Sequence, residues 1–205
     1  YSAADPAGKA ICKAALQTEA GLRLASDAPL LVVVSRLSHH KGLDLLLTVL
    51  PGWIRAGGQL LLQGTGDPVL ESAFRVAAQQ HPGEVATWID YDEDRAHRII
   101  AGGDLICVPS RSEPCGLTQL YGLRYGTLPV VHAVGGLADT VIDASGPDLA
   151  ADLANGFVFR RADPGALGNA LARAMTAYRQ PDAWRQLQSR AMAARHDWDA
   201  AACRH

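Results

Sequence analysis

Cysteine is sparse in this sequence, and the four present (Cys12, Cys107, Cys115 and Cys203) include no Cys-x-x-Cys pair. That usage excludes a dense disulfide framework and fits a reduced, cytoplasmic protein. Histidine offers a metal little: the seven do not recur at ligand spacing, and the adjacent His39 and His40 point in different directions on a strand or helix. Neither a metal nor a cofactor is expected. Charge of one sign is not in excess either, with 19 Lys and Arg against 21 Asp and Glu and a net charge of -2. No nucleic acid and no membrane surface is therefore expected as a partner, since both favour a basic face. No apolar run approaches the roughly 18 residues of a membrane span. Tyr1-Ser2-Ala3-Ala4-Asp5 lacks the basic-then-apolar pattern of a signal peptide. An initiator Met is missing too, so the sequence is expected to begin partway into a longer protein.

What is present is globular: 205 residues, 48% hydrophobic and 20% charged, fit one domain with a substantial core. Asp5-Pro6 opens a helical stretch through Ala10, Ile11, Ala14, Ala15 and Leu16, with Gly21 placed to stop it. Leu30-Leu31-Val32-Val33-Val34 is an unbroken apolar run, the pattern of a strand covered on both faces of a parallel sheet. Helices are expected over 43–50, 68–80, 93–101, 116–124, 164–178 and 182–194. Strands are expected over 59–63, 84–89, 105–108, 128–131 and 156–159, and a surface loop over 145–155. That alternation gives βαβ units with right-handed crossovers. The expected fold class is α/β, a Rossmann-like parallel sheet with helices on both faces. Residues 1–28 read as a lead-in helix and linker, 29–180 as the Rossmann-like domain and 181–205 as a helical tail.

Ligands of an open parallel sheet bind beyond the carboxyl ends of its strands, so the segments after each strand are the candidate site. Ser35-Arg36-Leu37-Ser38-His39-His40-Lys41-Gly42 places two cations just before a helix, which suits a diphosphate; a solvated turn is the alternative. Gln63-Gly64-Thr65-Gly66-Asp67-Pro68 has two glycines that allow close backbone approach to a ligand. It lacks the third glycine of a dinucleotide fingerprint and the Lys-Ser/Thr of a P-loop, so a tight turn stays open. In the segment 109–118, Glu113 can accept hydrogen bonds from sugar hydroxyls, while the amides of Gly116, Leu117 and Thr118, read as a first helical turn, attract an anion. A helix-start carboxylate with a structural role is the equal alternative. Gly135-Gly136 reads as a sharp backbone excursion or an ordinary turn, and Tyr91 as a base-stacking ring or simple packing. Cys115 stands where a helix start would lower a thiol pKa, but no His lies near it in sequence. His196-Asp197-Trp198-Asp199 reads as a tail motif, not a catalytic dyad.

Together these segments resemble bacterial glycogen synthases and plant starch synthases. The run Glu113-Pro114-Cys115-Gly116-Leu117-Thr118-Gln119-Leu120-Tyr121-Gly122-Leu123-Arg124-Tyr125-Gly126-Thr127-Leu128-Pro129 carries most of the resemblance. Ser35-Arg36-Leu37, Lys41-Gly42-Leu43-Asp44, Gly64-x-Gly66-Asp67-Pro68 and Gly135-Gly136-Leu137-Ala138-Asp139-Thr140-Val141 extend it from about Pro29 to Trp198. The resemblance implies the donor-binding half of a GT-B enzyme that transfers glucose from ADP-glucose to the non-reducing end of an α-1,4-glucan, with retention and without a metal. Arg36 and Lys41 would hold the diphosphate and stabilise the departing ADP, and Glu113 would contact the transferred glucose. Tyr91 would pack on adenine. Gly64, Cys115, Gly116, Leu117, Thr118, Tyr121, Gly135 and Gly136 would complete the donor site. Three departures bear on donor affinity: Ser112 replaces a usual Phe, His132-Ala133-Val134 a stretch that commonly carries Arg, and His39-His40 a small residue followed by Gln. The Lys-x-Gly-Gly-Leu loop and the acceptor-side Asp and His are not in this sequence, so the chain alone is expected to be inactive. Another GT-B glycosyltransferase, or a nucleotide-binding module without transfer activity, are the alternatives.

Overall fold

The computed structural model describes residues 1–3, 5–145 and 152–194. Most of the expected loop over 145–155, the His196–Asp199 motif and Cys203 lie outside the described residues. Six strands form one sheet: β1 Leu30–Val34, β2 Gln59–Gln63, β3 Val85–Trp88, β4 Leu105–Val108, β5 Leu128–His132 and β6 Phe157–Phe159. Every neighbouring pair is parallel, in the order β3-β2-β1-β4-β5-β6. This is the doubly wound dinucleotide-binding order, whose direction of winding reverses between β1 and β4.

The helices are α1 Gly8–Glu19, α2 Leu43–Arg55, α3 Pro68–Gln80, α4 Glu93–Gly102, α5 Thr118–Arg124, α6 Gly135–Thr140, α7 Pro164–Tyr178 and α8 Pro181–Ala193, with a 3-10 turn at His39–Lys41. No described helix is long and apolar enough to cross a membrane. Several starts follow directly from sequence. The Asp67, Asp92 and Asp163 carboxylates accept from the backbone N–H of Val69, Arg95 and Ala166, and Pro68 and Pro164 sit in first turns that need no N–H there.

The apolar run of β1 feeds two cores, because successive side chains leave opposite faces of the sheet. Leu31 and Val33 join Leu46, Trp53, Phe74, Leu171 and Trp184 beneath α2, α3, α7 and α8. Leu30 and Val32 join Leu16, Ile99, Ile100 and Leu137 beneath α1, α4 and α6. Each fully buried Leu or Ile contributes about 1.5–3 kcal/mol, so the central strands anchor the sheet from both sides.

Three local expectations change. Helix α1 starts at Gly8 with no side-chain cap; the Asp5 carboxylate instead accepts from the Ala7 N–H at 3.3 Å. Helix α5 starts at Thr118, not at 116, because Gly116 takes φ +74° and breaks the helical path. The glycine pair at 135–136 opens the short helix α6 where a turn or excursion was expected.

Helix α1 also docks in an unusual way. Its buried residues are Lys9, Lys13, Leu16 and Gln17. Lys9 Nζ donates to Thr127 Oγ1 at 2.7 Å and to the carbonyls of Ala101 and Tyr125 at 3.1 Å. Lys13 Nζ lies 2.7 Å from Asp104 and donates to the Ala28 carbonyl at 2.6 Å. Both ammonium groups therefore satisfy carbonyls and a carboxylate at the amino ends of β1, β4 and β5.

Candidate functional site

The crevice beyond β1 and β4 is where this sheet order opens, and the two loops that flank it carry most of the candidate residues. Lys41 ends the 3-10 turn after β1, and Glu113 lies in the loop after β4. Lys41 Nζ meets Glu113 Oε2 at 2.5 Å, and the same oxygen accepts from Ser110 Oγ at 3.1 Å. Lys41 keeps 24% of its side chain exposed, so the ammonium, with three donors, has capacity for a further acceptor.

Close backbone approach holds the loops together. Gly42 has φ +67°, and a Cβ there would lie 2.1 Å from the Pro109 carbonyl oxygen. Across the crevice the Arg111 N–H donates to the His40 carbonyl at 2.8 Å. The Arg111 guanidinium reaches both Asp44 oxygens at 2.7 Å and the His39 carbonyl at 2.8 Å. The hydrogen bonds from Arg111 hold the Asp44 carboxyl below its ordinary pKa, and Asp44 raises the guanidinium in turn.

A second layer shapes the loop that carries Glu113. Gly135 and Gly136 pass so near it that a Cβ would fall 2.1 Å from the Glu113 carbonyl oxygen or 1.9 Å from that of Cys115. The Gly136 N–H donates to the Glu113 carbonyl at 3.2 Å. Beneath the loop, the fully buried Gln119 donates from Nε2 to the carbonyls of Gly116 at 3.1 Å and Cys115 at 3.3 Å, and its Oε1 has no partner among the described residues. His132 Nδ1 lies 2.8 Å from the Ser110 carbonyl oxygen and its ring stacks on Phe159.

The remaining candidates spread along the same edge, because each follows a strand. Arg36 is exposed after β1. Gly64 follows β2, and a Cβ on it would meet the Ser35 carbonyl oxygen at 1.8 Å; the close approach made here is to the neighbouring loop. Tyr91 follows the edge strand β3 and is 84% exposed. Its loop is pinned by Gln63, which donates to the Asp92 carbonyl at 2.9 Å, and by the Arg95–Asp90 pair at 2.6 Å. From the end of β3 to the end of β5 the row spans about 19 Å at ordinary strand spacing. Cys115 and Leu117 are exposed, whereas Gly116 and Thr118 are half-buried. The amides expected at Gly116–Thr118 are displaced by the later helix start, so Thr118 is the first helical residue and Gly116 belongs to the turn. Tyr121, on α5, sets its ring edge-on to His97 at 5.5 Å, with 44% of the residue exposed.

Asp44, Ser110, Arg111, Gln119 and His132 were not singled out from sequence as site residues. Their types are ordinary for loops and helix starts, and the partners of Arg111 lie 67 and 72 residues away in the chain. Among the described residues, no group of three or more His, Cys, Asp and Glu is placed to hold a metal ion.

Residues 17–190 match the family described as glycosyl transferases group 1. A glycogen synthase of Paramagnetospirillum magneticum is 50% identical over 202 residues, which is 98% of this chain and 41% of that protein. The catalytic domain of starch synthase IV from Arabidopsis thaliana, solved bound to ADP and acarbose, superposes with a TM-score of 0.92 at 33% identity, over 100% of this chain and 42% of that one. A sucrose-phosphate synthase from Thermosynechococcus elongatus gives a TM-score of 0.67 at 25% identity, over 88% of this chain and 44% of that one. The six-stranded parallel sheet and its helices thus match one half of a GT-B glycosyltransferase.

Proposed function

Because the chain belongs to the glycosyl transferases group 1 family, we propose that it is the donor-binding half of a glycogen synthase. In this reading the whole enzyme, not this chain alone, transfers glucose, with retention, from ADP-glucose to the non-reducing end of an α-1,4-glucan. It spans 41% of the glycogen synthase it matches, so the acceptor would be held by a second, N-terminal domain. A cytoplasmic setting goes with this reading.

The observation that carries the reading is the 2.5 Å contact of Lys41 with Glu113 at the crevice. A cation and a carboxylate are held side by side where the sheet opens. A nucleoside diphosphate sugar presents the same alternation, an anionic diphosphate next to a hydroxyl-rich ring. Lys41 and the exposed Arg36 would take the diphosphate and stabilise the negative charge that builds on ADP as it leaves. Glu113 would accept hydrogen bonds from the glucose hydroxyls, with Ser110 and Lys41 fixing its orientation. The exposed ring of Tyr91 would stack on adenine. No metal or cofactor is assigned to any step.

Calorimetric titration with ADP, with UDP in parallel, tests the nucleotide assignment. ADP binding well above UDP supports the reading; fusion to an acceptor domain should then yield glucan extension. UDP preferred over ADP would favour a different sugar-nucleotide transferase. ADP binding with no transfer after fusion would leave a nucleotide-binding module.

A further inference from the structure

Arg111 is a cation at the ligand edge that is already spent. Both arms of its guanidinium hold Asp44, one arm also holds the His39 carbonyl, and its backbone N–H holds His40. Asp44 stands in the first turn of α2, directly after the Lys41-Gly42 bend. Arg111 itself stands two residues before Glu113. One side chain therefore ties the loop that carries Lys41 to the loop that carries Glu113, at a point where the Gly42 backbone already abuts Pro109. A bidentate fork fixes angle as well as distance, which a point charge such as Lys does not.

We propose that Arg111, through its fork on Asp44 and its bonds to His39 and His40, is a positioning residue that sets Lys41 against Glu113 and does not itself bind the donor. The proposal rests on the donor-site reading above for its effect on nucleotide, but its geometric part stands alone. The conservative variant Arg111→Lys keeps the charge and loses the fork, and Asp44→Asn keeps the shape and loses the charge. Each leaves the two cores untouched, so melting temperatures should stay within about 3 °C of the parent, as for a partly exposed ion pair.

The test is a double-mutant cycle on ADP affinity, joined to a crystal structure of Arg111→Lys. Arg111→Lys should weaken ADP binding about 5- to 10-fold when Lys41 is present and less than about 2-fold in a Lys41→Gln background, because its effect passes through Lys41. Equal losses in both backgrounds would mean that Arg111 touches the nucleotide itself and would overturn the proposal. In the crystal structure, Lys41 and Glu113 should separate beyond hydrogen-bond distance. Retention of their contact would overturn it whether or not nucleotide binds. Failure of the parent protein to bind ADP would count against the donor-site reading alone, since the crystallographic arm needs no ligand.

Discussion

Lys41 and Arg36 follow the same strand but stand in different surroundings. Lys41 already has Glu113 as a partner, whereas none of the ion pairs among the described residues uses Arg36. If both grip a diphosphate, Arg36→Ala and Lys41→Ala should each weaken ADP binding by about 1.5–3 kcal/mol, the scale of one charge-assisted hydrogen bond. Calorimetry checks this, and unchanged affinity in both variants would remove the phosphate assignment. In sequence these two cations and Glu113 could be placed at the ligand edge because each follows a buried strand, with a solvated turn or a structural carboxylate as the open alternative. Arg111 was not, because in sequence it looks like Arg36; only the fold shows that Asp44 occupies it. Gly64 and Gly66 were legible as places of close approach, but the neighbours they admit are the Ser35 and Leu37 carbonyls.

At the scale of elements, the strands were legible because a short apolar run between turn residues must be covered on both faces, and all six lie within a residue or two of their expected positions. Helix α1 was legible as a helix but not in how it docks. Apolar periodicity would bury Ile11, which is 73% exposed, while the buried face carries Lys9, Lys13 and Gln17. No pattern of hydrophobic residues announces a helix held by ammonium groups on strand-end carbonyls. That docking has a pH signature. Burial, the largest cause, lowers the Lys9 pKa from 10.5 to about 8. Between those values the unfolded chain keeps a proton that the folded chain has released, so folding gains stability as pH rises through this window. Melting temperatures of the parent and of Lys9→Met, followed from about pH 7.5 to 10, should diverge in the parent's favour. Groups common to both proteins, such as the buried Cys107 thiol pushed up to about 12, cancel in that difference. A constant difference would refute the lowered value.

At the scale of the whole molecule, the site belongs to no single segment. Lys41 and Glu113 touch across 72 residues of chain, because β1 pairs both with β2, which comes soon after it, and with β4, which comes much later. The class of fold could be read from alternation alone, but the meeting of these two loops depends on strand order, which local patterns do not encode. The same order has a history in time. A chain emerging at roughly 5–20 residues per second would display the Lys41 loop for several seconds before the Glu113 loop existed. Non-local pairings also form late when an intact chain refolds, since a long loop must close first. Nucleotide competence should therefore return only with the slowest refolding phase, after the β1–β2–β3 segment has gained hydrogen-exchange protection. ADP capture that precedes this protection would contradict it. If the donor-site reading holds, a sheet that winds outward in both directions from β1 would make nucleotide capture a clock for the late pairing of β4 with β1.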